Sequence, residues 1–169
     1  MLRLPPATGL LLALALGVSA CSRYQLGTGS KPAFASLSVD PVVNRTALPQ
    51  AEALFSARLR EAFIRDGRVP TVNGSAAAVL SLTLVDFRRE VAAVREGDTG
   101  LARKFNLTLT ASATLRESGT GRLLWDRRSF TVTREAFTDG GQLQSEYQTL
   151  PLLAETLAQR VAQAALDSW

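Results

Sequence analysis

The hydrophobic and polar positions of this chain change period several times, and each change marks an element. Between residues 78 and 94, Leu80, Leu82 and Leu84 alternate with Ser81 and Thr83, the two-residue period of a strand with one buried face. A turn at Glu96-Gly97-Asp98-Thr99-Gly100 separates it from the cleanest alternation in the chain. There Phe105, Leu107, Leu109, Ala111, Ala113 and Leu115 stand against Asn106, Thr108, Thr110, Ser112 and Thr114. This predicts a long antiparallel strand, apolar on one face and hydroxyl-rich on the other. Ser118-Gly119-Thr120-Gly121 turns the chain again, and residues 123–134 make the third strand of a meander. On it Leu124, Phe130 and Val132 are expected on one face and Trp125 on the other.

Two stretches follow the helical period instead. In residues 49–66, Leu54, Phe55, Leu59, Ala62 and Phe63 form one stripe, and Arg58, Arg60, Glu61 and Arg65 fill the rest. Pro49 suits the first turn of that helix and Gly67 suits its stop. Residues 138–146 are polar and read as a loop. Leu150, Leu153, Leu157, Val161 and Ala164 then form a second stripe, in a helix over residues 147–168. Pro151 is tolerable only in a first turn, so this helix is expected to begin near Leu150.

Two short strands complete the reading. Ala33, Ala35, Leu37 and Val39 alternate with Phe34, Ser36 and Ser38, and residues 69–72 precede the turn signal Asn73-Gly74-Ser75. The order is strand, helix, short strand, three-stranded meander, helix. It predicts an α+β fold, a two-layer sandwich with two helices on one face of a mixed, mostly antiparallel sheet of four to five strands. Residues 34–169 form a single domain, preceded by a Gly-, Ser- and Pro-containing tether over residues 22–33.

The N-terminus has a different pattern. Arg3 is followed by an apolar run over residues 7–18 and then by small residues, the layout of a secretory signal. The run is too short to span a bilayer, which takes about 20 apolar residues. Val18-Ser19-Ala20-Cys21 resembles a bacterial lipobox, whose cysteine is acylated and becomes the first residue of the mature chain. Residues 1–20 are then the signal peptide. An ordinary cleaved signal would instead leave Cys21, the one cysteine here, as a free thiol in an oxidising compartment. Two or more acyl chains make a stable anchor, since each buried CH₂ contributes ~0.8 kcal/mol. Ser22 follows in place of aspartate, which by similarity to enterobacterial lipoproteins favours export to the outer membrane.

Composition narrows the chemistry. Without histidine no Ser-His-Asp or Cys-His arrangement can be built, and the usual zinc ligands are missing. No phosphate-cradling glycine motif is present. No catalytic residue, metal ligand or cofactor is expected. Asp86 and Glu90 are the nearest carboxylate pair, but four strand positions separate them by ~13 Å, and they interleave with Arg88 and Arg89 as solvated charges. The formal charge of +4 falls to +3 once Arg3 is removed, too mild to imply nucleic acid. Of nineteen basic residues only Lys31 and Lys104 are lysine. In the meander, Arg95, Arg103, Lys104 and Arg134 fall at one end of the sheet with Glu96, Asp98 and Glu135. That cluster reads either as a solvated rim, with ion pairs worth ~0–1 kcal/mol, or as a site for phosphate groups.

Several of these segments together resemble the LptE family. They are the lipobox followed by Tyr24-Gln25-Leu26, then Leu37-Ser38-Val39 with Pro41, Asn44-Arg45-Thr46 and Pro49. The long strand with Ser118-Gly119-Thr120-Gly121 and Leu124-Trp125 also fits, as does Tyr147 with the closing helix. The resemblance implies an outer-membrane lipoprotein, anchored through Cys21, that sits as a plug inside an LptD β-barrel. It implies help in assembling that barrel and in inserting lipopolysaccharide into the outer leaflet. Lipopolysaccharide binding in that family through basic residues points to Arg95, and by the reading above to Arg103, Lys104 and Arg134 beside it. A second basic position of the family falls at residues 142–146, where this chain has Gln-Leu-Gln-Ser-Glu. An auxiliary lipoprotein of an ABC-type lipid or solute transporter, which also carries a Tyr-x-Leu segment after the lipobox, is the competing reading.

Overall fold

Hydrophobic alternation is converted directly into a sheet with two unlike faces. A computed structural model describes residues 32–94, 102–137 and 142–167. The signal segment with Cys21, the tether through residue 31, Arg95 with the expected turn at 96–100, and residues 138–141 of the expected loop lie outside the described residues. The elements are β1 (Leu37–Val39), β2 (Val43–Asn44), α1 (Ala51–Asp66), β3 (Ala78–Val94), β4 (Ala102–Glu117), β5 (Leu123–Phe137) and α2 (Gln142–Asp167). The sheet runs β1-β3-β4-β5, with β2 beside β1 on the same edge of β3. β1 and β2 lie parallel to β3, and the meander is antiparallel. This is the expected α+β arrangement, with five strands.

Both helices cover one face. Phe55, Leu59 and Phe63 of α1 and Leu153, Leu157 and Val161 of α2 share one core with Leu80, Leu82, Leu84, Leu109 and Ala111. Leu107, Leu109 and Ala111 are fully buried, while Thr108, Thr110 and Ser112 are only partly covered, on the opposite face. Burying a side chain such as Leu109 contributes about 1.5–3 kcal/mol, which fixes the register of the meander. The helices run parallel. Pro49 and Leu54 lie with Tyr147 and Leu150 at their starts, and Arg68 meets Asp167 at 2.5 Å at their ends.

Among the register shifts of the long strands, two change which side chains face the helices. Leu84 stands opposite Ala111 and Asp86 opposite Thr110, so Val85 is an extra residue on β3. Beyond it Phe87, Arg89 and Val91 face Leu109, Leu107 and Phe105, on the helix side. In β5, Ala113 pairs with Arg128 and Leu115 with Trp125, which inserts one residue near Arg127, whose φ is 50°. Trp125 is therefore buried on the same face as Phe130, not on the face opposite.

Other boundaries also move. Residues 69–72 make no strand, only one parallel bridge from Thr71 to Leu37. In the first strand Phe34 is buried and Ala35 exposed, because pairing with β3 begins only at Leu37. Pro49 precedes α1, which starts at Ala51 after Gln50 in the left-handed region. The largest change is α2, which begins at Gln142 with Pro151 in its interior. A contact from β5 holds that early turn, where the Ser145 hydroxyl donates to the Phe137 carbonyl, and within the helix Thr149 Oγ1 donates to the Ser145 carbonyl at 2.7 Å. Proline removes the helical bond to the carbonyl of Tyr147, an exposed residue.

Candidate functional site

The sheet end formed by the C-terminal part of β3, the start of β4 and the end of β5 is where the basic residues gather. Arg95 lies outside the described residues. Arg103 is placed only by its position in β4. Lys104 stands opposite Phe137, on the helix-free face, with its ammonium 2.5 Å from Glu135 Oε1 and 5.7 Å from the Phe137 ring centroid. Arg134 stands opposite Leu107, on the helix side, and its guanidinium donates to Thr156 Oγ1 at 2.7 and 3.1 Å. Strand parity thus brings Lys104 and Arg134 to one end of the sheet but to opposite faces, so they do not converge on one phosphate.

The carboxylates do not assemble either. Asp86 pairs with Arg88 at 2.7 Å in the open, and Glu90 stands opposite Asn106. Among the described residues no group of acids is placed to hold a metal ion.

A feature hidden in the sequence lies on the helix side of the same end. Arg89, turned inward by the bulge at Val85, meets Glu146 of α2 with Nε 2.5 Å from Oε1. The Glu146 side chain is 11% exposed and that of Arg89 38%. A cleft of ≈ 400 Å³ opens beside the pair, lined by Leu48, Pro49, Phe87, Leu143, Tyr147 and Leu150 among others. A smaller one of ≈ 240 Å³ shares Pro49, Tyr147 and Leu150 and continues between the starts of the two helices. The wall is apolar and the pair is self-neutralising, so the cleft suits an uncharged, apolar group better than an ion. Glu146 sits in the stretch expected to be a loop, and nothing in the local pattern marks Val85 as a bulge. No sequence signal therefore linked Arg89 to Glu146.

The middle of the helix-free face is rich in hydroxyls, with Asp86, Arg88, Glu90, Lys104 and Glu135 toward the basic end. Ser81, Thr83, Thr108, Thr110, Ser112, Thr114, Ser129, Thr131 and Thr133 line it. Thr108 and Thr133 place their hydroxyls 3.0 Å apart, and Thr110 and Thr131 place theirs 3.1 Å apart. Among the described residues no helix is long and apolar enough to cross a membrane.

Solved structures share this fold. A minor lipoprotein from Acinetobacter baumannii is 17% identical with a TM-score of 0.51, over 78% of this chain and 91% of that one. Lipoprotein B from Nitrosomonas europaea is 16% identical with a TM-score of 0.52, over 85% and 88%. A Xanthomonas campestris protein is 14% identical with a TM-score of 0.62, over 85% and 90%. At these identities the likeness is one of fold. Comparison with curated proteins finds no match. The family described as LptE, lipopolysaccharide-assembly, matches residues 34–165, nearly the whole described domain. The chain belongs to the LptE family, a non-catalytic family of lipopolysaccharide-assembly lipoproteins.

Proposed function

We propose that this protein is an outer-membrane lipoprotein, held at the periplasmic face by acyl chains on Cys21, that plugs an LptD-like β-barrel and helps it assemble. In that seat it assists insertion of lipopolysaccharide into the outer leaflet, and the sheet end that bears Arg95, Arg103, Lys104 and Arg134 contacts lipid A phosphates through its helix-free face, where Lys104 lies. The observation that carries the reading is the two-sided sheet in a chain of this family. One face is sealed under two helices, and the other is a hydroxyl-lined surface with no helix on it among the described residues. The lumen of an outer-membrane barrel is polar. Rows of threonine and serine meet such a wall without stranding apolar surface, and each hydroxyl can donate or accept as the wall requires.

The test places a photo-reactive residue at Thr110 or Ser112 in the full-length protein and identifies the adduct in detergent-solubilised outer membrane by mass spectrometry. Capture of a large β-barrel from both sites is expected, with loss of membrane attachment and of capture in Cys21→Ala. An adduct with an ATPase or substrate-binding component would overturn the reading in favour of a transporter accessory.

A further inference from the structure

A sheet that ends on a long strand leaves unpaired main-chain groups, which natural folds blunt with charge, bulges or a cover. Here β5 is the terminal strand. Which of its groups face outward follows from the far end of the meander. The Ser118 N–H donates to the Ala77 carbonyl, and the Glu117 N–H donates to the Arg122 carbonyl. Residue 117 therefore bonds toward β5, and alternation carries Ala111 and Leu109 the same way but Thr110 and Thr108 toward β3. Thr131 and Thr133 stand opposite those two, so their main chains face away from β4. The same holds for Ser129 opposite Ser112 and Glu135 opposite Asn106. The close hydroxyl pairs Thr110–Thr131 and Thr108–Thr133 agree, since opposed residues approach most nearly where no main-chain bonds are exchanged.

One outward group is engaged: Arg160 of α2 donates to the Thr131 carbonyl at 2.7 Å. Among the described residues, no partner meets the outward main-chain groups of Ser129, Thr133 or Glu135. Along the same edge runs a row of arginines with only neutral partners. Arg128 lies over the rings of Trp125 and Phe130, 4.8 and 5.5 Å from their centroids. Arg160 holds a carbonyl, and Arg134 holds the Thr156 hydroxyl. Their anchor points at residues 128, 131 and 134 are ~10 Å apart along the strand. The nearby acids are taken, Asp126 by Arg127 and Glu135 by Lys104.

From the open edge and its uncompensated arginines, we propose that β5 accepts an extended acidic segment of a partner protein as a sixth strand. Main-chain bonds to residues 129–135 supply affinity, and carboxylates reaching Arg128, Arg160 and Arg134 supply selectivity. Arg160 releases the Thr131 carbonyl to an incoming N–H and takes a carboxylate instead. The inference rests on β5 and α2 alone and does not require the barrel.

The probe is a fluorescent eight-residue peptide alternating threonine and glutamate. It is compared with a threonine–lysine version and with an acidic version carrying two central prolines. Binding to the full-length protein in detergent is read by anisotropy, and amide exchange is followed at Ser129, Thr131, Thr133 and Glu135. The first peptide alone should bind, with slowed exchange at those amides. Arg128→Glu with Arg134→Glu should weaken it at least tenfold. If that pair lowers the melting temperature, Thr133→Pro gives the same reading with every arginine kept, since an edge position tolerates proline. No binding, equal binding by the proline peptide, or unchanged exchange overturns the proposal. So does arginine-dependent binding to phosphatidylglycerol vesicles without peptide binding, which would make the stripe a lipid surface.

Discussion

Trp125 and Phe130 are five residues apart in β5, yet their rings lie on one face of the sheet with centroids 5.7 Å apart. An odd spacing should place them on opposite faces. The extra residue near Arg127, at φ 50°, reverses the parity, and Arg128 then lies over both rings. Trp125→Ala should cost about 3–5 kcal/mol in equilibrium denaturation. Arg127→Gly should leave stability unchanged or slightly raised, because glycine takes a positive φ without strain. A loss below ~1 kcal/mol for the tryptophan, or a large loss for the glycine, would contradict the bulge.

The meander makes a plainer prediction at two adjacent positions. Leu109 is fully buried, whereas Thr110 is only partly covered on the helix-free face, where its hydroxyl pairs with that of Thr131. Leu109→Ala should cost about 2–5 kcal/mol and Thr110→Ala less than ~1 kcal/mol. Chemical denaturation of the two variants checks this, and equal losses would mean a reversed register.

These contrasts mark what the sequence discloses. The alternation from Phe105 to Leu115 stated both faces of β4 directly, because that stretch carries no extra residue and every apolar position in it is buried. The stripes of α1 and α2 were equally plain. Bulges are a different matter. Val85 and Arg127 satisfy local propensity as well as any strand residue would, so Arg89 read as a solvated charge and Trp125 as facing outward. Pro151 misplaced the start of α2 because the contacts that hold its first turns, Ser145 to Phe137 and Glu146 to Arg89, come from elsewhere in the chain. The basic end was legible as a location from the order of the strands. Its division into two faces required the register.

The Arg89–Glu146 pair should behave as a coupled unit. Glu146 is nearly buried, so Glu146→Ala leaves Arg89 facing an apolar cleft and should cost about 1–3 kcal/mol. Arg89→Met with Glu146→Leu should recover much of that loss, since apolar replacement of a shielded pair is often neutral. A double-mutant cycle in denaturant measures the coupling. Strictly additive losses would mean that the two side chains contribute independently.

The far end of the helix layer carries a pH-dependent tie. Arg68 joins Asp66 at 2.7 Å to Asp167 at 2.5 Å. The Arg68 side-chain hydrogen bond, more than any other cause, holds the Asp66 carboxyl below its ordinary value. A depressed carboxylate contributes stability above its unfolded value, about 3.9, and loses it as pH falls through the lower folded value. Asp66→Asn should therefore lower the melting temperature slightly at pH 6, with an effect no greater than ~1 kcal/mol for so exposed a pair. The gap between the two proteins should begin to narrow as pH falls below about 3.9 and close as pH passes through the lower folded value. A gap that widens on acidification would refute this account.

The proposed lipopolysaccharide contact at the basic end is divided by face. Lys104 lies on the helix-free side beside Phe137, which is 59% exposed. A cation next to an open apolar ring suits a phosphate that carries acyl chains. Arg134 lies across the sheet against Thr156, away from that ring. Lys104→Gln should weaken lipopolysaccharide binding by the full-length protein threefold or more, while Arg134→Gln changes it little. Melting temperatures should barely move, because exposed ion pairs contribute ~0–1 kcal/mol. The difference should shrink with added salt, since at physiological ionic strength charges are screened beyond ~8 Å. The comparison uses calorimetry or surface binding at two salt concentrations. A loss confined to Arg134→Gln would move the contact to the helix side. No loss in either variant would leave Lys104 as a solvated rim charge held by Glu135, and the basic end would then have no part in lipopolysaccharide binding.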